Sequence, residues 1–151
     1  REALQVELNI ILPTCEGCQY HNFPYSAILP ITVNGVREKR RFDNKDDIWA
    51  VADLLIEETM QFNQEQEKSF DVVESLVSQI PFFACPNHFM DINLNADIER
   101  YIYCEKFNTP PYEGSYDNQP AKWVRRAFAI RTAFAKKEKK DIDVRKNTNK
   151  I

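Results

Sequence analysis

An α+β fold, with a small antiparallel hairpin and a zinc knuckle followed by about four helices, is predicted by three features of this 151-residue chain. The pair Asn34–Gly35 lies between two strand-like runs, and a two-residue hairpin turn needs residues that tolerate positive φ at both central positions. Apolar residues then recur at helical spacing through several segments bounded by cap and stop signals. Finally, Cys15 and Cys18 in CEGC place two thiols two residues apart, which lets both sulfurs turn to one tetrahedral ion.

Residues 4–12, LQVELNIIL, carry an alternating pattern in Val6, Leu8 and Ile10 and a helical one in Leu4, Leu8 and Ile11. We read them as a strand. The hairpin follows in AILPITVNGVREKRRF, where Pro30, lacking an amide for the ladder, belongs at an edge or a strand start. Asp43 or Asn44 suits the cap of a first helix, with Asp46 and Asp47 at its positive end and Ile48, Val51, Leu55, Thr59 and Phe62 on one face. The polar link NQEQEK leads to Ser69, the expected cap of a second helix that turns Val72, Val73, Leu76, Val77 and Ile80 inward and stops at Pro81. After the irregular PFFACPNHFM, residues Leu94, Ile98, Tyr101 and Ile102 make a third helix running to about Phe107. A fourth begins with Pro120 in its first turn, where a missing amide costs nothing, and carries Trp123, Ala127, Ile130 and Phe134 at helical spacing. Beyond about Lys140 the apolar period fades. Residues 1–140 are therefore expected as one metal-clamped domain and 141–151 as a polar basic tail that orders only against something else.

Composition narrows the function classes. With 43% apolar and 28% charged residues the chain falls among globular proteins. No apolar run reaches the roughly 18 to 20 residues of a membrane span. The net charge of −3 hides an asymmetry: residues 119–151 carry eleven Lys and Arg against three acids, whereas the remainder carries nine against twenty. Three glycines and no Walker or GxGxxG pattern leave no glycine loop to cradle phosphate. Two histidines, His21 and His88, both neighbour cysteines, and the acidic pairs Asp46–Asp47 and Glu57–Glu58 point about 100° apart on a helix. No catalytic residue and no small-molecule substrate is nominated.

The cysteines and histidines point to a metal instead. Cys15 and Cys18 supply half a site, and the other half is Cys85 with His88, which repeats the two-residue gap as CPNH, or Cys85 with Cys104; His21 is a fifth candidate. Gly17 permits the tight turn, and Pro24 blocks the long helix that follows a redox-type CxxC. The expected cofactor is one structural zinc ion, with an iron–sulfur cluster the lesser alternative. Two disulfides compete with it, and so does the plain reading of Cys85 and Cys104 as small buried hydrophobes. Four protein ligands close a site, so its role is structural; Cys15, Cys18 and Cys85 with a water would make it catalytic. Thiols kept for metal, with no secretory segment legible, place the chain inside the cell.

Two basic stretches suggest an anionic partner as the alternative function. Arg37, Lys39, Arg40 and Arg41 lie in the hairpin, and Lys122, Arg125, Arg126, Lys136 and Lys137 lie in the last helix, where they can follow a phosphate backbone. The same charges at a helix C-terminus also complement its dipole without binding anything.

The stretch PPYEGSYDNQPAKW, with a Pro- and Gly-containing turn and then Asp117, Gln119 and Pro120 at a helix start, resembles a turn in small accessory proteins encoded among the head and tail genes of tailed bacteriophages. The resemblance covers about a tenth of the chain, and Asn118 stands between the acid and Gln119 where that turn has none. It implies virion assembly or structure and, with it, a place in the virion. The expected function is a non-enzymatic structural or assembly protein that docks to a protein partner in a larger complex through its basic terminal helix. A metal-stabilised nucleic-acid binder is the alternative.

Overall fold

A computed structural model describes residues 1–11 and 17–148, which form a two-stranded antiparallel hairpin and five α-helices. The chain packs as two units: Glu7–Met90 in one, and Arg1–Val6 with the chain from Asp91 onward in the other.

The expected amino-terminal strand is instead a helix, α1 (Glu2–Ile11). In a strand Gln5 would face away from Leu4 and Val6, and it carries an amide that prefers water. In α1 all three are buried, and the Gln5 Oε1 accepts a hydrogen bond from the Asp91 backbone amide at 3.0 Å. The helical solution therefore buries more apolar surface and still satisfies the polar group.

In the Glu7–Met90 unit, β1 (Tyr25–Val33) pairs with β2 (Val36–Phe42) around Asn34 and Gly35, whose φ values of 52° and 78° are those the turn requires. The register runs from Tyr25↔Phe42 to Ile28↔Lys39 and resumes at Thr32↔Arg37. Pro30 lies inside the interruption, where the ladder asks nothing of its missing amide. Ala27, Leu29 and Ile31 are buried while Ser26, Ile28 and Thr32 are exposed, so the hairpin has one core face and one outer face.

Helix α2 (Lys45–Glu65) is capped by Asn44, whose side chain accepts from the Asp46 and Asp47 amides while the Asp47 carboxylate takes the Asn44 amide. Ile48, Val51, Ala52 and Leu55 are buried; Thr59 is half-buried and Phe62 exposed against Phe70, so the expected face ends before the last turns. Helix α3 (Val72–Gln79) is capped by Asp71 and not by Ser69, since the Asp71 carboxylate accepts from the Glu74 amide at 3.0 Å. Pro81 ends it in a 3₁₀ turn, Ile80–Phe82. A run of ring contacts, Phe23–Tyr25–Phe42–Phe83–Phe89–Trp49, crosses this core with centroid separations of 4.9 to 6.5 Å.

In the other unit, α4 (Ile92–Phe107) is capped by Asp91 and closed by Asn108 in the left-handed region at φ 52°. Helix α5 (Ala121–Thr148) starts directly after Pro120. Val6, Ile98 and Ile130 form the core, with Tyr101, Ala133 and Phe134 packed around them. The expected tail from residue 141 is helical as far as Thr148. No helix among the described residues is long and apolar enough to cross a membrane.

Candidate functional site

Cysteines, histidines and aromatic rings gather at one place in the Glu7–Met90 unit. Cys85 is buried and opens the 3₁₀ turn Pro86–Phe89, in which the His88 amide donates to the Cys85 carbonyl at 3.0 Å. The His88 Nε2 lies 3.0 Å from the Tyr20 carbonyl oxygen, an acceptor only, so Nε2 is the donor in this contact. Its ring packs on Phe23 at 4.8 Å and faces His21 at 6.3 Å. Cys18, half-buried, and Cys85 both act on the hydroxyl of Tyr25. Among the described residues that buried hydroxyl has no hydrogen-bond partner. Burial in the first place, and then the two neighbouring sulfurs, hold its pKa well above the ordinary phenol range.

Cys18, Cys85 and His88 share this neighbourhood, and Cys15 lies outside the described residues. Among the described residues no three His, Cys, Asp or Glu side chains close into a group able to hold a metal ion. Cys104 belongs to the other unit, where it sits half-buried on α4. Its thiol pKa is raised, by burial chiefly, with Arg100 opposing. The local signals that could have disclosed Tyr25 and Tyr20 as members of this cluster were absent, because neither stands at a ligand spacing.

Cys104 instead lines a cleft of about 380 Å³ between α4 and α5, together with Tyr101, Tyr116, Trp123, Phe128 and Arg131. The loop before α5 forms its rim. Gln119 staples that loop, its Nε2 donating to the carbonyls of Tyr112 at 2.8 Å and Gly114 at 3.2 Å. Gly114 has φ +101°, and a Cβ there would approach the Asn118 Cβ to 2.8 Å, so only glycine fits. The stretch PPYEGSYDNQPAKW is therefore a compact turn with a physical role for Gly114, Gln119 and Pro120.

Several of the predicted basic residues are engaged by carboxylates. Arg40 pairs with Glu38 at 3.1 Å and Arg41 with Asp43 at 2.8 Å. Arg126 pairs with Asp97, which also holds Arg100 at 2.7 Å. Among the described residues Arg37 and Lys39 pair with no carboxylate; they line an open cleft of about 640 Å³ on the outer face of the hairpin, beside Tyr20, Ile28, Gln79 and Phe82. Lys122, Arg125 and Lys136 are exposed along α5, and Lys137 is half-buried.

Compared with protein-family models, curated proteins and solved structures, the chain matches none.

Proposed function

We propose that this chain is a non-enzymatic structural or assembly protein that docks to a larger complex through the distal half of α5. The observation that carries this reading is the shape of that helix. Its 28 residues span about 42 Å at 1.5 Å per residue, yet Trp123 and Ile130 are its buried side chains, and from Ala135 to Thr148 every side chain is exposed or half-buried. Ile142 and Val144 are exposed among Lys136, Lys137, Lys139 and Lys140. A helix that runs several turns past its own core gains little from intrinsic propensity, and a partner surface supplies the packing such an arm lacks. The virion is the specific setting proposed, on the resemblance of PPYEGSYDNQPAKW alone.

The knuckle is proposed as a structural zinc clamp of Cys15, Cys18, Cys85 and the Nδ1 of His88. The support is the neighbourhood shared by Cys18, Cys85 and His88, and the His88 Nε2 bonded to a backbone carbonyl, the arrangement that orients a metal-binding imidazole.

The docking reading is tested by chemical cross-linking and mass spectrometry on the protein recovered from its native source. Cross-links from Lys136, Lys137, Lys139 and Lys140 to one stoichiometric protein partner, lost when the chain is truncated after Ala135, support it. A protein that sediments alone and yields no cross-link from α5 overturns it. Metal analysis of protein purified without added metal tests the clamp: one zinc per chain, lost in Cys18→Ser and kept in Cys104→Ser, is the expected result.

A further inference from the structure

We infer that the outer face of the hairpin binds single-stranded nucleic acid, a site separate from α5 and independent of the docking reading. The Glu7–Met90 unit is acidic, with six basic residues against thirteen acidic ones. Four of those six, Arg37, Lys39, Arg40 and Arg41, stand within the seven residues of β2. Arg40 and Arg41 are neutralised by Glu38 and Asp43, which leaves Arg37 and Lys39.

Being two residues apart on one strand, these two project from the same face about 7 Å apart, a spacing comparable to that of successive phosphates along an extended single strand. Their cross-strand partners are Thr32 and Ile28. Among the described residues no carboxylate lines the cleft they border. Its remaining walls suit bases: Phe82 is 62% exposed and Ile28 58%, an unusual concentration of uncovered apolar surface beside two cations. The Tyr20 hydroxyl donates to the Phe82 carbonyl at 3.2 Å, which fixes the second aromatic and the backbone beneath the first.

Cations for the backbone and aromatic faces for stacking are the two components of sequence-tolerant single-strand recognition. The cleft of about 640 Å³ has room for two or three nucleotides and is too open to grip a duplex groove from one short hairpin. The surrounding acidic surface repels phosphate elsewhere on the unit, so the contact is confined to this face.

The test is fluorescence anisotropy of the full chain with a labelled ten-nucleotide single-stranded oligothymidine, its RNA counterpart and a poly-glutamate peptide of equal charge. Two phosphates neutralised on a single strand give a log–log salt slope of about −1.4, so affinity should fall about sevenfold between 50 and 200 mM salt. Arg37→Ala with Lys39→Ala should weaken binding at least tenfold and remove that dependence, and Phe82→Ala should weaken it about fivefold or more. Lys136→Ala with Lys137→Ala should leave it unchanged. Binding lost with the α5 pair but kept in the hairpin pair overturns the proposal, as does no binding at 50 mM salt. Equal affinity for poly-glutamate overturns it in favour of an acidic protein ligand. All five side chains are exposed or half-buried, so circular dichroism of each variant should match the parent.

Discussion

Tyr25→Phe removes a single oxygen and should make the protein more stable. The ring itself is well used, with centroid contacts to Tyr20 at 5.1 Å, Phe23 at 5.6 Å and Phe42 at 5.1 Å, all of which phenylalanine keeps. The hydroxyl is buried and finds no partner among the described residues. An unpaired buried hydroxyl costs about 1–3 kcal/mol, and the dispersion lost with the oxygen offsets part of it, so a gain of about 1–2 kcal/mol is expected. With an unfolding entropy of roughly 2.1 cal/mol/K per residue, a chain of 151 residues gains about 0.3 kcal/mol for each degree, which converts this to a rise in Tm of about 3–6 °C. Differential scanning calorimetry and urea titration, in reductant and chelator, measure it, and the urea slope should not change. A Tm that stays level or falls would show that the hydroxyl is satisfied, and the packing drawn here around Cys18 and Cys85 would be wrong. Added zinc should reverse the order of the two proteins if the hydroxyl donates to a metal-bound thiolate, a contact whose loss costs 10- to 100-fold in metal affinity.

Gly114→Ala should destabilise the loop before α5 by about 1–3 kcal/mol through its positive φ and the clash with Asn118, seen as increased proteolysis between residues 109 and 120. Gln5→Met keeps the volume but strips the Asp91 amide of its acceptor; a loss of about 1–3 kcal/mol by urea titration is expected, and a neutral outcome would return α1 to question. Tyr101 has its pKa raised by burial and by its hydrogen bond to Glu105, so the unfolded chain ionises first. Stability from this group is therefore complete below about pH 10 and lost as pH rises from there, and Tyr101→Phe should show a shallower alkaline decline. The raised Cys104 thiol should alkylate more slowly with iodoacetamide at pH 8 in the native protein than after denaturation.

What could be read from the sequence was whatever the chain decides over a few residues. Asn34–Gly35 specify a turn by their own backbone freedom, and Asn44 with Asp47 close a capping box across three positions. The end of α4 at Phe107 and the start of α5 at Pro120 are equally local, set by a left-handed Asn108 and a proline that suits a helix entrance. Even the choice of Asp71 over Ser69 as the cap of α3 is a two-residue slip in a correct element.

Tertiary structure decided the cases in which two local solutions competed or in which distant residues had to meet. Residues 4–8 satisfy strand and helix periodicity alike, and α1 won because Val6 packs on Ile98 and Ile130 while Gln5 reaches the Asp91 amide, partners about 90 and more residues away. Cys104, an alternative partner of Cys85 in the sequence, lies on α4 beside Tyr101 and Trp123, neighbours that its place in the chain does not disclose. The basic run of β2 looked uniform in one dimension. Pairing with Glu38 and Asp43 separates Arg40 and Arg41 from Arg37 and Lys39, and only folding brings Phe82 and Tyr20 to the latter two. Local backbone preference is a property of neighbouring residues and is written in their order; charge neutralisation and burial depend on which surfaces meet, and those meetings span the whole chain.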